Sequence, residues 1–236
     1  MNNQIPKIIH QIWSDIYEPL PKMFQELGET WKYYHKGWKY IFWNDQMMDQ
    51  FINNYFPVYA DLFHRFAYDV QRWDAIRYLI LYEMGGLYVD FDYECIESVE
   101  DVLRGNCCFA LEPKEHKLPF LDSVSPYFNN AFIAATPRHP FIKTVVDAVF
   151  QKELPFLLES LTRFEYILCT TGPGMLSNVY KDYANKKDVY LIPADYVSPF
   201  SSFEIRSIWR GIINEDWEKR LQKAVAVHYF MGTWNK

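Results

Sequence analysis

Apolar residues recur along the chain at two spacings, one typical of strands and the other typical of helices. Residues 5–13 form a short, β-branched apolar run that a polar turn closes, and this pattern predicts a buried first strand. Spaced apolar residues over 22–34 predict a helix, and alternation over 38–43 predicts a second strand. The β-α-β order indicates an α/β protein.

The next predicted helix and strand lead to a pair of acidic residues. Apolar residues at helical spacing over 68–84 predict the helix, and Gly85 and Gly86 provide a stop at its C-terminus. The short apolar strand that follows ends at Asp90, and Asp92 comes two residues later. Because successive side chains of an extended chain alternate, we expect both carboxylates on one side, where they can face one cation.

The rest of the chain continues the mixed pattern. The expected elements are two more strands followed by three helices, at 106–111, 131–135, 141–150, 152–166 and 175–183. Pro140 opens the first of these helices, and the turn at 171–174 opens the last. No repeat, low-complexity tract or linker divides the chain, and so we expect residues 1–236 to form one α/β domain.

Composition narrows the classes of partner. Hydrophobic residues make up 50% of the 236, and so the chain can bury a large core. The formal charge is -6 without any dense block of lysine and arginine, which argues against nucleic acid as a partner. No segment reaches the roughly 18 apolar residues of a membrane span. We therefore expect a cytoplasmic protein, either in solution or peripheral to the inner face of the membrane.

Asp90 and Asp92 supply the ligand type that hard divalent cations prefer, since carboxylate oxygens bind Mn²⁺ and Mg²⁺. They follow an apolar strand directly, and open α/β folds bind ligands at the carboxyl ends of their strands. A cation held there would stabilise the negative charge that develops on a departing diphosphate. A pair of surface acids in a turn is the alternative explanation for the same spacing.

Asp74 and Arg77 lie three residues apart on one predicted helix and therefore share a face. Their neighbours Trp73, Ile76 and Tyr78 are bulky, which indicates that the helix is largely enclosed. Buried charges need a partner or a function, and so this pair is a candidate for ligand binding. An exposed ion pair on the helix surface is the alternative.

Two stretches together carry a family resemblance, RWDAIRY over 72–78 and YEMGGLYVDFD over 82–92. An aspartate, an arginine three residues later, a Gly-Gly pair and an Asp-x-Asp resemble the signature of glycosyltransferase family 32. That family includes the initiating yeast mannosyltransferases and the glucosylating domains of large clostridial toxins, and this chain looks like a small, bacterial-type member. The resemblance implies a GT-A fold, with a Rossmann-like mixed central sheet flanked by helices. It also implies a nucleotide-sugar donor, Mn²⁺ or Mg²⁺, and retention of the anomeric configuration.

The resemblance further implies roles for single residues. Asp74 and Arg77 match positions that hold the donor's sugar hydroxyls and diphosphate, and Asp90 matches one that contacts ribose, sugar and the metal's water shell. These three are the expected catalytic residues. Asp92 matches the direct metal ligand. Trp13 resembles a residue whose ring stacks on the donor base, with a core tryptophan as the alternative.

Further matches lie in the second half of the chain. Asn130 resembles an asparagine that contacts the donor sugar, with the neighbouring Asn129 as the alternative, and residues 171–174 match a turn beside the acceptor. His228 and Trp234 resemble the closing residues of small family members. This match implies that His228 binds the metal with the Asp-x-Asp carboxylates and that Trp234 contacts the donor. A satisfied polar core residue is the alternative for His228.

We therefore expect a retaining, metal-dependent hexosyltransferase with a UDP-sugar as donor. The expected acceptor is a saccharide or a lipid-linked oligosaccharide of cell-surface polysaccharide synthesis, and a protein acceptor is the alternative. No residue is placed as a nucleophile, which favours front-face attack assisted by the donor's own phosphate. Two other functions stay open. One is a phosphatase of the haloacid dehalogenase type, in which an apolar strand also ends in Asp-x-Asp. The other is a nucleotide-sugar binder without turnover.

Overall fold

The structure is a computed structural model that describes residues 4–116, 126–151, 161–212 and 214–232. Its strands β1 to β8 are Ile8–Ile12, Lys39–Trp43, Gly86–Val89, Tyr93–Cys95, Cys107–Leu111, Phe128–Ala135, Tyr190–Ile192 and Ala226–His228. Its α-helices α1 to α10 are Lys22–Tyr34, Asp45–Tyr55, Pro57–His64, Asp69–Met84, Pro140–Val149, Arg163–Thr170, Pro173–Asp182, Ala194–Val197, Ser202–Trp209 and Glu215–Leu221.

Six of the strands form the central sheet, in the order β2-β1-β3-β6-β5-β7. β1 runs parallel to β2 and β3, β7 runs parallel to β5, and β6 runs antiparallel to both of its neighbours. β4 and β8 form a separate antiparallel pair in which Tyr93 lies opposite His228. This mixed sheet with helices around it confirms the α/β fold class predicted from the sequence.

The central sheet is covered on both faces. In β3, Tyr88 packs in the core layer that contains helix α4, whereas Leu87 and Val89 pack in the layer that contains Trp31 of α1. This division follows from the alternation of side chains along a strand. Because both faces are buried, β3 consists of apolar and aromatic residues without polar alternation.

Gly85 and Gly86 turn the chain from α4 directly into β3. Their φ angles of 65° and 103° lie in the region that side chains disfavour. Space is also lacking, since a Cβ on Gly85 would lie 2.8 Å from the Ala135 carbonyl oxygen and one on Gly86 would lie 2.6 Å from that of Ile8. The helix stop predicted here is therefore present, and both positions require glycine.

The main elements of the sheet and its helices match the sequence predictions closely. Helix α1 covers the predicted residues, α4 begins one residue later than predicted, and β6 begins three residues earlier. The helix predicted over 152–166 lies mostly outside the described residues, and its last four residues belong to α6, which begins at Arg163 and continues to Thr170.

The predictions missed several elements. Helices α2, α3 and α8 to α10 and the short strands β4, β7 and β8 were not predicted. Asn44 is the N-cap of α2, since its side chain accepts a hydrogen bond from the Met47 backbone amide. None of the described helices combines the length and the apolar character that a membrane crossing requires.

His10 is a buried polar link between β1, β2 and the glycine turn. Its Nδ1 accepts a hydrogen bond from Trp43 Nε1 at 3.1 Å, and so its Nε2 carries the proton and donates to the Gly85 carbonyl oxygen at 2.9 Å. Acceptance at Nδ1 requires the neutral ring, whereas donation from Nε2 is possible in either protonation state. Burial also favours the neutral ring and lowers the pKa of His10 to about 4.

Acidification should therefore destabilise the fold through His10. The unfolded chain binds a proton at a pKa of about 6.5, whereas the folded protein does so only at about 4, and so stability falls as the pH drops through this window. We expect His10 to account for a loss of about 2 kcal/mol between pH 7 and pH 5. Urea unfolding of the wild type and of His10→Gln at both pH values measures this contribution.

His64→Gln is the matched control, because His64 is exposed. We expect it to show the pH dependence of the wild type, whereas His10→Gln should lose much less stability on acidification. Equal losses in His10→Gln and the wild type would show that His10 is not the group responsible.

Candidate active site

A cleft of about 1020 Å³ opens where β1 and β3 end. Every described residue predicted to bind donor or metal lines this cleft, namely Trp13, Asp74, Arg77, Asp90, Asp92, Asn130 and His228. Trp234, the remaining predicted residue, lies outside the described residues.

Asp74 and Arg77 form a buried ion pair on one face of α4. Asp74 Oδ1 lies 3.0 Å from Arg77 Nη2 and accepts a hydrogen bond of 2.8 Å from Asn130 Nδ2. Burial raises the pKa of Asp74, and the nearby Arg77 charge opposes that shift. The pair is therefore internal, as the bulky neighbours in the sequence indicated.

Arg77 also connects α4 to β3 and β6. Its Nη1 donates to the Asn130 carbonyl oxygen at 2.7 Å and lies 3.3 Å from Asp90 Oδ1. The guanidinium carbon lies 4.5 Å from the centre of the Tyr88 ring, and the Tyr88 hydroxyl donates to the Asp90 carboxylate. Burial disfavours the charged form of Arg77, but the surrounding Tyr88, Asp90 and Asp74 outweigh it and raise the pKa.

Thr171 completes the environment of Asp74, a role that the sequence did not predict. Its hydroxyl donates to Asp74 Oδ2 at 2.9 Å, and its carbonyl oxygen accepts a hydrogen bond of 2.7 Å from Tyr78. The turn at 171–174 was predicted to border the acceptor. Asp74 and Tyr78 lie four residues apart and share a face of α4, but no local pattern indicates that residue 171 contacts them.

Asp90 and Asp92 lie in a turn between β3 and β4 and not on an extended strand. The Tyr93 backbone amide donates to the Asp90 carbonyl oxygen at 3.2 Å, which closes this turn. The expectation that strand alternation aligns the two carboxylates is therefore wrong. Both carboxylates line the cleft because the turn itself faces it.

The turn gives the two carboxylates different surroundings. Asp90 contacts Arg77, and 32% of its side chain is exposed. The burial of the rest of the side chain raises the pKa of Asp90, and the Arg77 charge opposes that shift. Asp92 accepts a hydrogen bond of 2.9 Å from the Met231 backbone amide, and its Oδ1 lies 3.3 Å from His228 Nε2. Burial would raise the pKa of Asp92, but the adjacent His228 outweighs this effect and lowers it.

His228 is held between aromatic rings beside Asp92. Its ring stacks on Tyr93 with centroids 4.1 Å apart, and Phe230 lies against it at 3.9 Å. Burial favours the neutral ring, yet Asp92 outweighs this and raises the pKa of His228. The buried Nδ1 has no hydrogen-bond partner among the described residues.

The two carboxylates of this turn are suitable ligands for one divalent cation. Mg²⁺ and Mn²⁺ are commonly held by one or two carboxylates, with substrate phosphates and water completing the shell. The described part of the chain contains no group of three histidine, cysteine, aspartate or glutamate side chains placed to hold a metal. The three-residue set of Asp90, Asp92 and His228 therefore stays a prediction.

The two neighbouring asparagines of β6 have different contacts. Asn129 Oδ1 accepts hydrogen bonds from the backbone amides of Ala131 and Phe132, and so it supports the strand. Asn130 contacts Asp74 and Arg77. Of the two candidates for the sugar-contacting asparagine, Asn130 is the one that belongs to the Asp74 network.

Trp13 is only partly buried at the wall of the cleft. Its ring packs against Phe24 and Phe91 with centroid distances of 5.4 and 6.3 Å, and its Nε1 donates to the Glu18 carbonyl oxygen. These contacts set the ring position beside the Asp90 turn. The arrangement is compatible with stacking on a base, and it is not that of a fully enclosed core tryptophan.

Comparisons with known proteins identify the family. Residues 21–109 match the model of a glycosyltransferase sugar-binding region containing the DXD motif. The chain is 30% identical to inositol phosphoceramide mannosyltransferase 1 of Schizosaccharomyces pombe, over 98% of this chain and 71% of that protein. The chain belongs to glycosyltransferase family 32.

Two further likenesses support the family 32 assignment and its fold. Mannosyl phosphorylinositol ceramide synthase CSH1 of Saccharomyces cerevisiae is 33% identical over 84% of this chain and 50% of its own length. The solved PaToxG glycosyltransferase has a TM-score of 0.55 and 16% identity, covering 78% of this chain and 73% of its own. The fold is thus the GT-A fold. The chain spans half of one yeast relative and 71% of the other.

Because it belongs to family 32, the chain is a glycosyltransferase and not a phosphatase of the haloacid dehalogenase type. The residues 72–78 and 82–92 that carry the resemblance fall within the region matched by the family model. They also build the Asp74, Arg77 and Asp90 network of the cleft. The motif is therefore a set of side chains in mutual contact.

The contact between Thr171 and Asp74 should contribute measurably to the stability of this glycosyltransferase. Thr171→Val keeps the shape but removes the hydroxyl, and Asp74 Oδ2 then loses a buried donor. We expect a loss of about 2 kcal/mol in the free energy of unfolding, measured in urea. Thr171→Ser keeps the hydroxyl and is the control. If the valine variant were as stable as the serine variant, the hydroxyl contact would have no energetic role.

Proposed function

We propose that this chain transfers a hexose from a nucleoside diphosphate donor to a hydroxyl group of a saccharide or lipid-linked acceptor. The transfer retains the anomeric configuration and depends on Mn²⁺ or Mg²⁺. The observation that carries the proposal is the contact of the buried pair Asp74 and Arg77 with the half-buried Asp90, beside Asp92 in one cleft. A sugar diphosphate matches these groups, because its hydroxyls can donate to the Asp74 carboxylate and its phosphate oxygens can accept from Arg77.

Asp74 and Arg77 would orient the donor. The Asp74 carboxylate is already held by Asn130, Thr171 and Arg77, and so it can accept hydrogen bonds from sugar hydroxyls without moving. Arg77 would place its positive charge near the diphosphate. Such preorganised charges stabilise a developing negative charge better than water does, because they need no reorganisation during the reaction.

Asp92 and Asp90 would hold the cation. Once bound, the ion neutralises negative charge on the departing diphosphate. Asp92 is positioned by the Met231 amide and by His228, and Asp90 by Arg77 and Tyr88. The proposal requires these two carboxylates and does not require His228 as a third ligand.

The names of the relatives suggest the sugar and the acceptor. The two yeast relatives are named for mannose transfer and for inositol phosphoceramide. We propose mannose as the sugar and the headgroup of a membrane lipid as the acceptor. The uridine base and cell-surface polysaccharide synthesis, both predicted from the sequence, are the alternatives that a substrate panel separates. Attack from the front face, assisted by the donor's phosphate, would explain retention without a protein nucleophile.

A panel of uridine and guanosine diphosphate hexoses tests the proposal. With Mn²⁺ present, we expect slow hydrolysis of one donor, and we expect Asp92→Asn to reduce that hydrolysis at least about a hundredfold, because one ligand charge is lost while the shape is kept. Isothermal titration with and without Mn²⁺ should show that the variant has lost metal-dependent donor binding.

Asp101→Asn, which removes an exposed acid outside the cleft, is the control and should behave as the wild type. Full activity of Asp92→Asn would remove Asp92 from the metal site. Donor binding by the wild type without hydrolysis or transfer would instead identify a nucleotide-sugar binder that has lost turnover.

Trp13→Ala should weaken donor binding. Loss of aromatic stacking on the base costs about 1–3 kcal/mol, and so we expect the donor KM to rise about fivefold to 150-fold with a smaller change in kcat. Steady-state kinetics with the preferred donor measure both constants. Trp38→Ala, at a half-buried tryptophan outside the cleft, is the control. An unchanged KM in Trp13→Ala would assign this ring to the core alone.

A further inference from the structure

The outer part of the cleft has a lining that the proposed donor site does not use. Tyr17, Phe203 and Arg206 all line the cleft, and Tyr17 and Phe203 have 73% and 65% of their surface exposed. Tyr17 belongs to the loop after β1, whereas Phe203 and Arg206 belong to α9. Large exposed aromatic rings beside an active-site cleft commonly mark an interaction surface.

The exposed side of α9 continues this lining away from the cleft. Phe203 and Arg206 lie three residues apart on one face of α9, and Arg210, the C-cap residue, follows Arg206 by four positions. Trp209 and Ile212 at the end of the helix are 52% and 53% exposed. We refer to these five residues as the α9 surface.

The two arginines of the α9 surface are available to an anion. Neither Arg206 nor Arg210 forms an ion pair with any residue in the described ranges of the chain. The acid on the same helix, Glu204, is already paired with Arg220 of α10 at 2.6 Å. The α9 surface therefore combines exposed apolar rings with uncompensated positive charge, in a chain whose formal charge is -6.

This combination matches the chemistry of a membrane surface. Tryptophan and phenylalanine rings partition into the interface between lipid headgroups and acyl chains, and arginine guanidinium groups bind the phosphates of anionic lipids. A soluble saccharide acceptor would need no such surface. An acceptor carried by a lipid stays in the plane of the bilayer, and the cleft must come close to that plane to reach it.

We propose that the α9 surface docks this glycosyltransferase on an anionic phospholipid bilayer, with the outer end of the cleft next to the lipid headgroups. Trp209 and Ile212 enter the interface, Arg206 and Arg210 bind lipid phosphates, and Phe203 lies where the cleft meets the membrane. The inference rests on the proposed lipid acceptor and names the surface through which such an acceptor is reached.

Vesicle sedimentation with the full chain tests the inference. The vesicles consist of phosphatidylcholine alone or of phosphatidylcholine with phosphatidylinositol, and neither donor nor metal is added. We expect the wild type to bind the vesicles that contain phosphatidylinositol and to be released by high salt. The double variant Trp209→Ser with Ile212→Ser should reduce the bound fraction about tenfold or more, since both apolar anchors are lost. Arg210→Glu should weaken binding to the anionic vesicles selectively.

Matched controls separate the α9 surface from exposed residues elsewhere. The double variant Tyr55→Ser with Val58→Ser removes two exposed apolar residues of α2 and α3, and Lys187→Glu reverses an exposed charge. Both should bind vesicles as the wild type does. Donor hydrolysis in solution should be unchanged in Trp209→Ser with Ile212→Ser, because neither residue lines the cleft.

Three outcomes would overturn the inference. In the first, the wild type does not bind anionic vesicles. In the second, the double Trp209 and Ile212 variant binds them as well as the wild type does. In the third, no vesicle binding occurs, and sedimentation velocity shows a dimer that these substitutions abolish. The last outcome would assign the α9 surface to a second copy of the chain. Failure of donor hydrolysis would contradict the proposed function and would leave the vesicle measurement unaffected.

Discussion

A positive charge placed among packed helices and strands costs several kcal/mol unless anionic groups and carbonyl oxygens surround it. Arg77 meets this requirement with Asp74 from its own helix, Asp90 from the turn after β3 and the Asn130 carbonyl oxygen from β6. One guanidinium thus holds three separate parts of the chain at fixed distances. The cleft has its shape because these parts cannot separate without exposing or isolating that charge.

The same constraint explains why the acids of the site are unequal. Asp74 is enclosed and held in place by Arg77, Asn130 and Thr171, and so it is suited to a fixed orienting role. Asp90 and Asp92 lie in a turn at the cleft, one beside the arginine and the other beside His228. The acid with the raised pKa and the acid with the lowered pKa are therefore only two residues apart.

Local patterns in the sequence predicted much of this arrangement, and long-range contacts account for what they missed. The 3.6-residue period predicted α1 and α4, and the glycine pair predicted the end of α4. The strands β4 and β8 have only three residues each and form because they pair with each other across 130 residues of chain, which no local pattern reveals. Thr171 was missed for the same reason, since its contact with Asp74 joins residues 97 positions apart. The Asp90 turn was mistaken for a strand because the apolar run before it gives no sign of where the extended backbone ends.

The glycine pair between α4 and β3 has a consequence for how such an enzyme can diversify. With no room for a side chain at Gly85 or Gly86, the connection between α4 and β3 is tightly constrained. An inserted or deleted residue in that connection would rotate β3 by half a repeat and carry Asp90 away from Arg77. Changes in substrate preference are consequently more accessible at the outer walls of the cleft than through a change in the length of this connection.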